Sequence, residues 1–138
     1  MVAVALENPD ILAAHFWAAC EAGRIDIVHE LASRINDIDL ADQAGRTGLM
    51  AAASRNRVGV MNFLLERGAD PNRGNVNGTT ALMFAKTAAF AYGDCTGMKI
   101  LLDAGADRHA RDKNGLTALD YTINRAELVR GFLETYEA

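Results

Sequence analysis

Apolar residues recur at helical spacing in several short segments of the chain, and polar segments separate them. The i, i+3, i+4 spacing of one helix face appears three times, in Ile27/Val28/Leu31, in Val60/Met61/Leu64 and in Met98/Leu101. A second set of apolar faces begins at Leu49, Leu82 and Leu119. This pattern predicts short helices with one buried face each, joined by turns.

The predicted helices belong to units that repeat along the chain. Gly45 and Gly78 are 33 residues apart, and Gly78 and Gly115 are 37 apart, so the third unit carries a four-residue insertion. An earlier copy in the same register lacks the opening turn. We therefore divide a single domain, 1–138, into four units: 8–41, which forms an amino-terminal cap, 42–74, 75–111 and 112–138, which forms a carboxyl-terminal cap.

Turn and cap residues stand where such units need them. The three spaced glycines follow polar pairs, where a tight turn favours positive φ. Thr47, Thr80 and Thr117 follow two residues later, where a hydroxyl can cap a helix. The other expected boundaries are a first helix that starts at 8–10, left-handed turns between paired helices at Gly23, Asn56, Gly93 and Asn124, and helix stops at Gly68 and Gly105.

Each unit resembles the ankyrin repeat. The resemblance is carried by "GRTGLMAAA", "FLLERGADPN", "GTTALMFA", "ILLDAGADRH" and "GLTALD", at matching offsets. It implies an all-α solenoid of stacked antiparallel helix pairs, joined by β-turn or hairpin-like loops, that serves as a protein–protein interaction module. The family's Thr-Pro-Leu-His is altered in every copy, and Gly48 replaces the proline. We expect Gly48 to loosen the start of its helix.

Composition and charge restrict the function further. Half of the residues are apolar, and the net charge of −4 argues against a nucleic-acid partner or an anionic membrane surface. No run approaches the roughly 20 apolar residues of a membrane span, and the start lacks the basic region of a signal peptide. We expect a cytoplasmic protein in which Cys20 and Cys95 are free thiols.

The chain offers little that resembles catalytic or metal chemistry. No nucleophile–base motif is present, and the "GRTG" of 45–48 lacks the ending of a phosphate loop. His15, His29 and His109 lie in three different settings, and Cys20 takes a predicted core position, so no set of metal ligands assembles. We expect no enzyme activity, no cofactor and no metal.

The resemblance implies where a protein partner binds. In ankyrin repeats, partners most often contact the turn tips and the exposed groove side of the first helices. The corresponding tip positions are Gln43, Ala44, Arg46, Val76, Asn77, Thr79, Lys113, Asn114 and Leu116, and the groove positions are Glu21, Ser54, Arg55 and Asn124. Arg46, Arg55 and Lys113 among them would complement an acidic patch on the partner.

The insertion is the most individual feature of the sequence. It lengthens either the first helix of the third unit or the loop after it, and it contains Phe90 and Tyr92. Phe90 either packs on a neighbouring unit or joins the interface, and we expect Tyr92 to be exposed. Lys86 stands where other units have a small or apolar residue, which suggests a shifted helix register. Trp17 is expected to pack on the second unit rather than to serve as an exposed anchor.

These features favour a small, stand-alone, monomeric adaptor or inhibitor of a protein partner of unknown identity. An immunity or antitoxin protein that blocks one enzyme is one version of this hypothesis. The alternative from another class is a small-ligand-binding protein or an enzyme, which would need a concave pocket with convergent polar groups. A self-assembling structural unit is a third possibility.

Overall fold

A computed structural model describes residues 8–122 and 127–135, and these residues form seven α-helices and no strand. An isolated antiparallel bridge joins Gly74 and Thr80. The all-α architecture predicted from the sequence is confirmed. The helices are α1 (Pro9–Ala22), α2 (Ile25–Ala32), α3 (Gly48–Ser54), α4 (Val58–Glu66), α5 (Ala81–Tyr92), α6 (Thr96–Asp103) and, after a 3₁₀ turn at Asp120–Thr122, α7 (Glu127–Thr135).

The helices stack in two layers. The first helices of the units pack side by side, with α3 between α1 and α5. The second helices α2, α4 and α6 each pack on the first helix of their own unit, α4 also packs on α2 and on α6, and α7 packs on α5. The core lies between the layers, where burial of apolar surface supplies the main stabilisation. Its largest fully buried side chains include Phe16, Leu49, Met61, Leu64, Leu82, Met98 and Leu101.

The predicted cap residues hold the helix starts. Asn8 accepts a hydrogen bond from the Asp10 amide at 2.9 Å. Thr47 Oγ1 and Thr80 Oγ1 accept the amides of the third residue after them, at 3.3 and 3.4 Å. Thr117 exchanges bonds with Asp120, since its hydroxyl accepts the Asp120 amide and the Asp120 carboxylate accepts the Thr117 amide. This capping pair stands at the start of the 3₁₀ turn at Asp120–Thr122.

The expected left-handed turns also form between paired helices. Gly23, Asn56 and Gly93 have φ of 72°, 56° and 66°. Asn56 is the one residue other than glycine with positive φ in the described part of the chain. Asn124, the fourth predicted position, lies outside the described residues.

The insertion extends a helix rather than a loop. Helix α5 has 12 residues and α3 has 7. The expected register shift at Lys86 is wrong, because Lys86 is 9 % exposed and occupies the same core position as Cys20 and Ala53. The extra turn is added after this position, and it carries Phe90 and Tyr92 past the end of the neighbouring helix.

Gly48 has a packing role that helix propensity does not reveal. It is buried at the first turn of α3, and a Cβ atom there would lie 2.7 Å from Phe16 Cε2 and 2.9 Å from Cys20 Sγ. Phe16 and Cys20 are themselves fully buried. The absent side chain therefore lets α1 and α3 approach closely, and α3 still begins at Gly48 with Thr47 as its cap.

Candidate functional site

The three turns that precede the first helices share one local structure. We call them tip 1 (42–46), tip 2 (75–79) and tip 3 (112–116). In each tip, a side-chain oxygen of the first residue accepts the backbone amides two and four residues later, at 2.9–3.1 Å. The first residues are Asp42, Asn75 and Asp112. These bonds close each turn without using the side chains that follow.

Main-chain hydrogen bonds join the tips into a row. The Val76 amide donates to the Ala44 carbonyl at 3.0 Å, and the Lys113 amide donates to the Asn77 carbonyl at 2.9 Å. Because only backbone atoms make these links, the side chains at the linked positions are not used to hold the row together. The tips form one continuous edge of the protein.

Most of the predicted tip side chains are exposed on this edge. Val76 is 67 % exposed and Leu116 is 37 % exposed. Gln43, Asn77, Lys113 and Asn114 are also exposed, and Thr79 is half-buried. The row therefore presents two apolar side chains among polar ones.

Arg46 has contacts within the protein. Its Nε donates to Asp42 Oδ2 at 2.8 Å, and its guanidinium lies 4.3 Å from the centre of the Trp17 ring. Hydrogen bonds from the Arg46 amide and side chain lower the pKa of Asp42 and outweigh its burial, which acts in the opposite direction. Trp17 is half-buried against the core, so the packed position predicted for it is confirmed. Arg46 thus links tip 1 to α1.

A second group of predicted residues meets on the groove side. Arg55 lies 3.3 Å from the Glu21 carboxylate, and Tyr92 reaches the same guanidinium from the added turn of α5. The hydrogen bond to Tyr92 is the largest of the effects that raise the pKa of Arg55. Tyr92 is 52 % exposed, as expected. Three units are therefore bridged by one exposed arginine.

Neighbouring side chains complete the groove side. Arg57 Nε donates to the Glu21 carbonyl at 2.9 Å, and Asn56 Nδ2 donates to Asp94 at 3.0 Å. Ser54 is half-buried, and its hydroxyl donates to the Ala51 carbonyl at 2.7 Å. Ser54 is therefore less available to a partner than Arg55. Beside Arg55 lies a shallow depression lined by Ala18, Glu21, Ala22 and Arg57.

The predicted cations do not form a free positive patch. Arg46 lies against Asp42 and Arg55 lies against Glu21, so two of the three predicted positive charges are offset within the chain. Lys113 is exposed on tip 3. The predicted binding surface therefore carries less net positive charge than Arg46, Arg55 and Lys113 alone would give it.

Phe90 packs against the core, which is one of its two predicted roles. It is half-buried against the core, and its ring centre lies 5.7 Å from Lys86 Nζ. Lys86 Nζ also lies 4.6 Å from the centre of the Tyr121 ring, and the Tyr121 hydroxyl donates to the Asp112 carboxylate. Sequence reasoning did not identify Tyr121, because its contact with Lys86 depends on how the last two units pack.

Other chemistry is sparse in the part of the chain that the structure describes. His15 and His109 are exposed, and the ring centres of His29 and Phe63 lie 3.9 Å apart. Within 8–122 and 127–135, no three His, Cys, Asp or Glu residues are grouped closely enough to hold a metal ion. No helix among these residues is long and apolar enough to span a membrane. Burial raises the pKa of the Cys20 thiol to about 12.

Comparisons with known proteins agree with this geometry. A family model described as ankyrin repeats, in three copies, matches residues 15–89. A palmitoyltransferase, AKR1 of Candida glabrata, is 35 % identical over 66 residues, which cover 46 % of this chain. That match spans only 9 % of the yeast protein.

Proposed function

Since the chain belongs to the ankyrin-repeat family, whose repeats are protein-interaction modules, we propose that it is an adaptor or inhibitor that binds one protein partner. The surface we assign to this role consists of the row of tips and the Arg55–Tyr92 pair. The observation that carries the proposal is the main-chain linkage of the tips, which holds an extended edge in place and leaves its side chains available for contact.

The composition of the row fits a protein partner. Val76 and Leu116 are exposed apolar side chains, and Gln43, Asn77 and Lys113 surround them. Protein interfaces combine an apolar centre with a polar rim, and aromatic residues and arginine contribute most of their binding energy. Val76 is suited to the centre of such a contact.

Arg55 and Tyr92 lie together on the groove side. Arg55 contacts Glu21 and Tyr92 acts on the same guanidinium, so one partner can contact both side chains. Tyr92 adds a large flat contact area with a polar end. We propose that this pair is the second anchor of the interface.

The charge pattern suggests what the partner presents. Arg46 and Arg55 already face carboxylates, so an acidic patch on the partner would compete with Asp42 and Glu21 for them. Lys113 is the predicted cation best placed to meet an acidic group. We therefore propose a partner surface that is mainly polar and apolar, with an acidic group opposite tip 3.

Affinity capture tests the proposal with a matched control. The tagged protein, its Val76→Ala/Tyr92→Ala variant and an Ile25→Ala variant would be captured from the native cells and compared by mass spectrometry. Ile25 is a large exposed apolar residue on α2, away from the tips. We expect the wild-type and Ile25→Ala proteins to retain one stoichiometric protein, and the double variant to bind it at least roughly tenfold more weakly.

A partner that the double variant retains and Ile25→Ala loses would contradict the proposed surface. The captured protein also decides between adaptor and inhibitor. An immunity-type inhibitor requires an enzyme whose activity falls when this chain is added, whereas an adaptor leaves the activity unchanged. The proposal assigns no catalytic step to the chain and treats it as a monomer, which sedimentation at two concentrations checks.

A further inference from the structure

The three tips differ in how the charge of their first residue is balanced. In tip 1, Arg46 at the fifth position pairs with the Asp42 carboxylate at 2.8 Å. In tip 2, the first residue is the neutral Asn75 and needs no counter-charge. In tip 3, the first residue is again an aspartate, but the fifth position is Leu116, which cannot pair with it.

The carboxylate of Asp112 is met from the inner side of tip 3. The Tyr121 hydroxyl donates to it, and Lys86 Nζ lies 4.6 Å from the centre of the Tyr121 ring. The hydrogen bond from Tyr121 lowers the pKa of Asp112, and the charge of Lys86 lowers it further. Lys86 is 9 % exposed, and burying its charge costs free energy unless the charge is paired.

The added turn of α5 completes the setting of Lys86. This turn supplies Phe90, whose ring centre lies 5.7 Å from Lys86 Nζ. The Tyr121 ring contacts the same ammonium group. Aromatic faces attract a cation more strongly when it is desolvated. The equivalent positions in the earlier units, Cys20 and Ala53, carry no charge, and the helix of Ala53 lacks the extra turn.

We propose that Lys86 is a positioning residue for tip 3. From inside the protein, Lys86 supplies to tip 3 the positive charge that Arg46 supplies to tip 1 from the surface. The consequence is that position 116 is released from charge pairing and presents an apolar side chain. The importance of Leu116 to a partner rests on the proposed function, but the positioning role of Lys86 does not.

Amide hydrogen exchange, measured by NMR on the isolated chain, tests this role residue by residue. The amides of Asn114 and Leu116 both donate to Asp112, and those of Asn77 and Thr79 make the equivalent bonds to Asn75. We expect Lys86→Met to accelerate exchange at Asn114 and Leu116 roughly threefold or more, with tip 2 unchanged.

A compensating variant separates charge from shape. Asp112→Asn converts tip 3 to the neutral form that Asn75 provides in tip 2, so Lys86→Met/Asp112→Asn is expected to restore exchange to within about twofold of the wild type. If Lys86→Met alone does not fold, the double variant is still expected to fold with a protected tip 3.

Three results would overturn the proposal: unchanged exchange at Asn114 and Leu116 in Lys86→Met, equal acceleration in tips 2 and 3, or a double variant that is not restored. None of these measurements involves a partner. A failure here is therefore distinguishable from a failure of the proposed binding function.

Discussion

The same substitution at two helical glycines is expected to have opposite effects on stability. Gly48 begins α3 and is buried, and an added Cβ would lie 2.7 Å from Phe16 and 2.9 Å from Cys20. Gly59 lies in the first turn of α4, is exposed, and an added Cβ would meet no atom within 4 Å. Neither glycine has positive φ. Gly48→Ala and Gly59→Ala therefore form a matched pair.

The magnitudes follow from two competing terms. Replacing glycine by alanine in a helix stabilises by about 0.5–1 kcal/mol, and only this term applies at Gly59. At Gly48 the methyl group also overpacks a closed core, which costs about 1–3 kcal/mol. Since Phe16 and Cys20 are fully buried, neither can move away cheaply. We expect a net loss of about 1–2 kcal/mol for Gly48→Ala.

Thermal and urea unfolding followed by circular dichroism measure both variants. For a chain of this length, the melting temperature is expected to fall by about 3–8 °C in Gly48→Ala and to rise by about 2–4 °C in Gly59→Ala. A Gly48→Ala protein as stable as the wild type would refute the packing role of Gly48. A rise in melting temperature like that of Gly59→Ala would show that helix propensity alone governs this position.

Three further predictions concern the thiols, acid stability and one turn. Cys20 is buried with a pKa of about 12, whereas Cys95 is half-buried. A thiol reagent at pH 8 is therefore expected to label Cys95 first and Cys20 only on unfolding. Equally rapid labelling of both thiols would contradict this. The folded pKa of Asp112 lies below its ordinary value of 3.8, mainly because of the Tyr121 hydrogen bond. Its contribution to stability is therefore complete above about pH 4 and is lost as the pH falls through the folded pKa, and Asp112→Asn should flatten acid unfolding in this range. Gly68→Val is expected to lower the melting temperature, because Gly68 has φ of 90°, where a β-branched residue is strained. An added Cβ would meet no atom within 4 Å, so backbone strain is the only cause invoked. An unchanged melting curve would contradict it.

Much of the fold was predictable because its signals are local. The bonds from Thr47 and Thr80 to amides three residues later depend only on sequence spacing, and so do the left-handed turns at Gly23, Asn56 and Gly93. The repetition of these signals, first after 33 residues and then after 37, indicated the order of the elements. Local turn chemistry and periodicity were sufficient for this part.

The candidate site was less predictable because it depends on contacts between units. The exposure of Val76 and Tyr92 agrees with expectation. The pairing of Arg55 with both Glu21 and Tyr92, however, joins residues from three units, and no spacing rule indicates it. The packing role of Gly48 was not predictable for the same reason, since helix propensity considers one segment and its neighbours lie on another.

The way in which the tips are joined also affects how the protein can change over generations. The links at Val76 and Lys113 use amide and carbonyl atoms that every residue except proline can provide, and Gln43 occupies the equivalent place in tip 1. Substitutions at these three positions alter what the edge offers to another molecule and leave its attachment intact. Selection can thus change the binding specificity of the surface one residue at a time without destabilising the scaffold. A library randomised at positions 43, 76 and 113 would sample new specificities on the same backbone.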